Sequence, residues 1–397
     1  MSSPASIELA VRPAAYYTGI FPRQKIQEMV RDGEIYATGI LSEIAGNQIQ
    51  PASIDLRLGD FAYPVDASFL PGKSVGVLDK MRQLDEQYDN WKIDLRSGAV
   101  LEKGRLYVIP LMESIKLKSE VGAFANPKSS TGRLDILTRL IADGATVFDQ
   151  VEEGYSGALY LEVAPRSFSV VAKTGARLSQ LRFRRTRGET AKGISAAEWK
   201  ALLNTGQISN ASDAGDKTGM LPFSIDLQGA GRKDSLIGWR AKKHTARIDL
   251  DLRDYDPLDY WDPIYFRRAT LILDPDEFYI LMTKEAIAVP PDFAAEMVPY
   301  DTRAGEFRVH YAGFFDPGFG WDSESRKAGS SRGVLEVRSH EVPFLLEHGQ
   351  TVGWLRYERM AERPDLIYGQ DIASHYQGQE LKLAKQFKSL PPEPLRY

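Results

Sequence analysis

Three groups of residues in this 397-residue chain have the types and spacing to do chemistry. The first is Lys128-Ser129-Ser130-Thr131-Gly132-Arg133, directly after Asn126-Pro127. Two serine hydroxyls, a lysine and an arginine around a glycine supply donors and positive charge that can wrap a phosphate chain. The same residues also suit a solvated turn with an N-capping serine. The second is a glutamate within a strand pattern. In Ala158-Leu159-Tyr160-Leu161-Glu162-Val163, alternation puts Leu159, Leu161 and Val163 on one face and Tyr160 and Glu162 on the other. Leu335-Glu336-Val337 repeats it, and each strand is fed by a tight turn with an acidic residue before its aromatic, Glu152 and Asp316. The third is Tyr368 with the later run Ser374-His375-Tyr376-Gln377-Gly378-Gln379, a polar, aromatic stretch that either trails as a tail or folds over a ligand.

Other chemistries lack their residues. The cysteine count is zero, which removes disulfides, thiol nucleophiles and thiolate metal sites and is compatible with a reducing cytoplasm. The five histidines, at 244, 310, 340, 348 and 375, show no ligand spacing, so a protein-held zinc is not expected. No Gly-x4-Gly-Lys-Ser/Thr loop occurs. Gly329-Ser330-Ser331-Arg332-Gly333 matches a nucleophile elbow only formally, because a strand-like segment follows it where a helix is required.

The elements that must position these groups come twice. Pro51-Ala52-Ser53-Ile54-Asp55-Leu56 and Pro222-Phe223-Ser224-Ile225-Asp226-Leu227 are near copies. Further pairs follow in the same order at an offset of about 170 positions, among them Tyr107 with Tyr279, Arg133 with Arg303 and Gly175 with Gly349. The chain reads as a tandem duplication, with domains at 1–185 and 220–397 and a linker at 186–219 carrying a helical island at Ala196 to Leu203. Phe21 to Gly33 predicts a short helix with Pro22 in its first turn, an apolar stripe of Ile26, Met29 and Val30, and Gly33 as its stop. From residue 51 onward, short apolar or alternating runs broken by Gly, Pro, Asp and Asn predict strands. Arg105–Pro110, Ala158–Val163 and Gln180–Phe183 recur as Phe278–Met282, Val334–Val337 and Val352–Tyr357. So many short strands indicate a mainly β, antiparallel barrel or sandwich with a few short helices.

Composition sets outer limits. The length suits two to three domains, and 43% hydrophobic with 26% charged residues is ordinary for a globular protein. A net charge of −4 gives no overall pull towards nucleic acid or anionic membrane. No signal peptide or 18-residue apolar run is evident, so a cytoplasmic location without a membrane span is expected.

With these motifs in order, the chain resembles the dCTP deaminase branch of the trimeric dUTPase-like proteins, present twice in tandem. Ile20-Phe21-Pro22-Arg23 through Gly33-Glu34-Ile35 is similar to that family's opening helix, and Gln50 through Gly59 to its signature strand. Ser129-Ser130-x-x-Arg133 resembles its triphosphate element, Leu161-Glu162-Val163 and Leu335-Glu336-Val337 its catalytic strand, and Asp316-Pro317-Gly318-Phe319 and Tyr376-Gln377-Gly378-Gln379 its turn and closing tail. The resemblance implies two dUTPase-like β-clip barrels, a homotrimer of six domains, and Mg²⁺ entering with the nucleotide, without zinc.

It also implies hydrolytic deamination of dCTP to dUTP and ammonia. Glu162 or Glu336 would be the general base, with Lys128, Ser129, Ser130, Arg133, Arg303, Asp316, Tyr368, Tyr376 and Gln379 holding the nucleotide. Neither copy is complete: the second has Val298-Pro299-Tyr300 in place of the serine pair, and the first lacks the tail. The expected arrangement is therefore a working site built on Ser129, Ser130, Arg133 and Glu162 and closed by the tail of the second copy. The reverse, with Glu336 catalytic, stays open, as do a dUTP diphosphatase using Asp316 or Glu152, a bifunctional enzyme, and a non-catalytic nucleotide-binding protein.

Overall fold

The computed structural model describes residues 18–38, 41–185, 194–210, 218–232, 235–299, 307–310, 313–339, 341–369 and 381–389, with 299 and 307–310 described by backbone alone. The chain is mainly β with few helices. Its strand order recurs. In the first half Ile54–Arg57, Arg177–Arg185, Val121–Pro127 and Gln150–Val151 are successive antiparallel neighbours. In the second half Met220–Ser224, Thr351–Arg359, Phe293–Pro299 and Phe314–Phe315 take the same places. The facing sheet repeats as well. The order Phe61–Val65, Leu106–Lys116, Ser156–Pro165, Ile136–Ala142 is matched by Leu236–Ala241, Phe278–Ala286, Arg332–Ser339, Phe307–His310.

Local chemistry accounts for the elements near the site. The first helix runs Arg23–Arg31 after an extended Pro22, buries Ile26 and Met29, and ends before Gly33, whose φ of 73° only glycine adopts without cost. Alternation along Ser156–Pro165 sends Leu159, Leu161 and Val163 into the main core and Tyr160 into a separate cluster on the opposite face. Both faces are covered, so Glu162 is buried, where an edge exposed to water would have solvated it.

The segment expected as a linker is largely part of the second half. Ser195 caps the helix Ala196–Asn204 through its side chain, accepting from the Glu198 amide at 3.2 Å. That helix and the residues after it place Trp199, Leu202 and Ile208 in the second core. The first core in turn takes Trp239, Trp261 and Phe278 from the second half and Phe387 from near the chain end. Phe168 meets Trp261 edge-on at 5.3 Å, and Phe124 meets Phe314 in the same way at 5.3 Å. The two halves therefore share buried apolar surface. Trp261→Ala is expected to cost about 3–5 kcal/mol and to lower a single calorimetric transition common to both halves; two separate transitions would contradict this.

Candidate active site

The strand Val121–Pro127 ends at Pro127, and the chain turns through the single helical turn Ser129–Gly132. The Thr131 hydroxyl donates to the Leu178 carbonyl at 2.8 Å, which pins the turn to the neighbouring strand. Lys128 stays extended before the turn and forms an ion pair with Asp55, the aspartate of the first repeated hexapeptide, with Arg177 3.8 Å from the other Asp55 oxygen. The repeated aspartate thus has a mechanical reason in this half: it holds the lysine that precedes the cationic turn. Its counterpart Asp226 holds Arg332 at 2.6 Å.

The turn faces the second half across a cavity of about 550 Å³. Lys128, Ser129, Ser130 and Arg133 line one wall; Glu336, Asp316 and Tyr368 line the other. The cavity is composite, and the glutamate that lines it is Glu336. Glu336 Oε1 lies 3.8 Å from Arg133 Nε, both side chains buried. Burial pushes the Glu336 carboxyl up to about 8, with Arg133 opposing the rise only in part. Arg133 is itself held, donating from Nη1 to the Lys382 carbonyl at 3.0 Å. Two residues further on, Arg338 and Asp135 form a second buried ion pair across the same boundary.

Asp316 opens a turn in which Gly318 has φ 94° and a Cβ would come within 2.8 Å of the Tyr368 backbone. The Tyr368 amide donates to the Pro317 carbonyl at 2.7 Å, and its ring lies 5.8 Å from that of Phe319. This close approach brings Tyr368 to the cavity, together with Phe314 and Phe315. The Asp316 carboxylate accepts from Arg182 Nη2 at 2.9 Å. Burial shifts both partners towards their neutral forms, the carboxyl up and the guanidinium down. Arg182 also stacks over Phe314 at 4.0 Å and donates to the Ala295 carbonyl at 3.1 Å, so it fastens one half to the other.

The expectation that Glu162 completes the working site is corrected. Glu162 is not among the residues lining the cavity. Arg139, directly opposite it on the neighbouring strand, grips one carboxylate oxygen through Nε at 2.7 Å and Nη2 at 2.5 Å. Arg139 is fixed in turn by Ser68 at 2.6 Å and by stacking at 4.0 Å over Phe148. Beside it Asp149 accepts from the Leu140 amide at 2.7 Å, and burial pushes its carboxyl up to about 7. The first half's carboxylate site is thus filled by its own arginine. Glu152 is exposed and lines no part of the cavity. Arg303, Tyr376 and Gln379 lie outside the described residues.

Sequence reasoning missed several cavity residues: Arg177, Gln180, Arg253, Met297 and Lys385. The Lys385 ammonium is held below its ordinary value by burial, with Lys128 and Arg253 adding like charge. Such a cluster gains most from an anionic ligand. Its members come from segments far apart in the chain, with no shared motif. Asp55 was the legible clue, since a carboxylate repeated in both copies announces a charged partner. Among the described residues no group of three or more His, Asp or Glu side chains could hold a metal ion, and no helix is long and apolar enough to cross a membrane.

In this mainly β chain the cavity sets a cationic turn against a buried carboxylate, which gives it the charge to receive an anionic ligand. The family models resolve it further. That described as "2'-deoxycytidine 5'-triphosphate deaminase (DCD) N-terminal domain" matches residues 17–187, and that for the C-terminal domain matches 195–387. The chain belongs to the 2'-deoxycytidine 5'-triphosphate deaminase family. It is similar to a crystal structure of 2'-deoxycytidine 5'-triphosphate deaminase from Agrobacterium tumefaciens, with 48% identity, a TM-score of 0.77, and coverage of 88% of this chain and 100% of that one. It is 33% identical to "dCTP deaminase, dUMP-forming" of Streptomyces avermitilis over 47% of this chain and 90% of the relative. It is 29% identical to "dCTP deaminase" of Acidianus ambivalens over 37% and 75%.

The first half's pair makes a prediction. Glu162→Gln leaves Arg139 with a weaker acceptor and is expected to lower stability by about 1–3 kcal/mol in denaturant titration, because the pair is structural; an unchanged midpoint would contradict that role.

Proposed function

We propose that this protein is a zinc-independent dCTP deaminase whose single composite site uses Glu336 as the general base. The observation that carries the reading is Glu336 itself: a buried carboxylate facing Arg133 in the same cavity as Lys128, Ser129 and Ser130. Lys128, Arg133, Arg177, Arg253 and Lys385 supply the charge for a triphosphate, and the serine hydroxyls supply neutral donors. Phe314, Phe315 and Tyr368 offer aromatic surface for the base. Mg²⁺ would arrive on the phosphate oxygens: Asp55 and Asp316 at the cavity are already committed to Lys128 and Arg182.

In the proposed reaction Glu336, in its carboxylate form, takes a proton from water as the water oxygen adds to C4 of the cytosine ring. The carboxyl passes that proton to ring nitrogen N3; the regenerated carboxylate then takes the proton of the hydroxyl on tetrahedral C4 and delivers it to the amine. The C4–N4 bond then breaks, C4=O forms, and ammonia leaves. Positioned proton transfer of this kind contributes about 100- to 10,000-fold. The cavity supplies what the step needs: burial that makes the carboxylate basic, and Arg133 to limit how far its affinity for protons rises.

The Streptomyces relative is named as dUMP-forming, which takes the reaction one hydrolysis beyond dUTP. The engagement of Asp316 by Arg182 favours stopping at dUTP, because that carboxylate would have to leave its ion pair to activate water at a phosphate. At finer grain, we read the two halves as tandem dUTPase-like barrels, the second including the helix at 196–204, in a cytoplasmic homotrimer of six domains. The closing role of Tyr376 and Gln379 belongs to the same proposal.

Incubation with dCTP tests the reading: dUTP and free ammonia are expected, whereas dUMP with pyrophosphate would support the bifunctional alternative. Glu336→Gln should abolish ammonia release while dCTP still binds, and Glu162→Gln should retain turnover. Full activity in Glu336→Gln would refute the assignment.

The raised Glu336 pKa gives two linked pH effects. The rate parameter kcat/KM is expected to climb with pH and level off near about 8 as the base ionises. The folded carboxyl titrates near 8 and its ordinary value is 4.5, so its stability contribution is fully present below about 4.5 and is lost as pH rises to about 8. Glu336→Gln removes that loss. Its melting temperature relative to the parent should therefore rise across this window, and a constant difference would count against the buried, protonated carboxyl.

A further inference from the structure

A second cavity, of about 640 Å³, lies between the halves further along the strand Arg332–Ser339. Glu336 faces the first cavity and Arg338, two residues on, lines this one. Nothing in the proposed deamination uses it. The chain carries a net charge of −4, yet Lys103, Arg105, Arg166, Lys242, Lys243 and Arg338 line the cavity against only two carboxylates, Asp276 and Glu277.

The way these charges are engaged divides them into a frame and a free set. Arg338 is neutralised by Asp135 and also donates to the Asp276 carbonyl, and Lys243 pairs with Glu277 at 2.8 Å. Arg105 lies 3.8 Å from Glu102, and Lys242 lies 4.0 Å from Asp262 and donates to the Leu258 carbonyl at 2.5 Å, so these four build the wall. Lys103 donates from Nζ to the Lys243 carbonyl at 3.2 Å, a neutral acceptor that leaves its charge uncompensated. Arg166 is exposed and its side chain has no partner among the described residues. The backbone holds these two side by side. Gly104, at φ 79°, makes the turn, its amide donates to the Pro165 carbonyl at 2.8 Å, and the Lys103 amide donates to the Ser169 hydroxyl at 3.0 Å. Leu106, Leu137, Pro165 and Phe278 give the cavity apolar lining as well. A fixed cationic rim over a partly apolar floor, with a volume in the range of small-molecule sites, has the chemistry to receive a phosphate chain with an organic group attached.

We propose that this seam cavity is a second anion site, which takes a phosphate-bearing small molecule of nucleotide size and is distinct from the deamination site. Calorimetric titration of the full chain with sodium tripolyphosphate, at low salt, tests it. The wild-type chain should bind one more equivalent than the Lys103→Glu/Arg166→Glu variant, or bind that equivalent at least about tenfold more tightly. Both positions are exposed, so the variant should keep its melting temperature and its dCTP kinetics; Lys103→Ala/Arg166→Ala serves as a milder check on the same loss. Equal stoichiometry and affinity in wild type and both variants would overturn the proposal. A parallel titration with ATP separates the two sources of the phosphate: competition with tripolyphosphate for the same equivalent assigns a nucleotide, and its absence assigns bare polyphosphate. Binding is read without turnover, so a negative result here leaves the assignment of Glu336 untouched.

Discussion

Two crossed ion pairs set the relation between the halves, and the site depends on them. On the first half Arg133 and Asp135 stand two residues apart; on the second, Glu336 and Arg338 do the same. Arg133 faces Glu336, and Asp135 faces Arg338. Docking the halves two residues out of place would set Arg133 against Arg338 or Asp135 against Glu336, so the charges favour one docking. The two crossings are unequal in a useful way. Asp135–Arg338 is close and further supported by the Ser167 hydroxyl, which donates to Asp135 at 2.6 Å. Arg133–Glu336 is looser at 3.8 Å, so the Glu336 charge is stripped of water without full compensation. The tight pair holds the halves, and the loose pair leaves a basic carboxylate at the cavity.

The duplicated strand shows how little separates a carboxylate locked in an ion pair from one that lines a cavity. Glu162 and Glu336 occupy the same place in the same strand order, each flanked by Leu and Val. Their environments differ in the residue opposite and in what covers the face. Arg139 is paired with Glu162 across the strands and caps it, with Phe148 and Ser68 fixing the arginine. The corresponding position opposite Glu336 is His310, and the cation near Glu336 comes from the other half. Two nitrogens of Arg139 occupy Oε1 of Glu162, and Glu162 Oε2 is shut away from solvent without a hydrogen-bond partner among the described residues. One copy therefore keeps the geometry of the fold, and the other keeps the carboxylate available. The phosphate element is divided in the opposite sense, with Ser129 and Ser130 on the first copy facing the cavity.

The amino-acid sequence determined the strands, the short opening helix, the repeat, and the set of chemically competent residues. Those are local or periodic properties: alternation at period 2, glycine where φ is positive, proline at a helix start, and a serine three residues before a glutamate at a cap. It also singled out Lys128, Ser129, Ser130, Arg133, Glu336 and Tyr368, all of which meet at one cavity. The choice between Glu162 and Glu336 was beyond its reach, because nothing in Leu-Glu-Val distinguishes the copies. What sets their surroundings apart is Arg139, 23 positions away in the chain but adjacent across the strands, and the docking of one half on the other. The residues from 194 to 210 likewise have the composition of a connector, and only the apolar face offered by the second core makes Trp199 and Ile208 core residues. Tertiary structure alone decided which groups lose their water and which partners compensate them, and a carboxylate's reactivity depends on both.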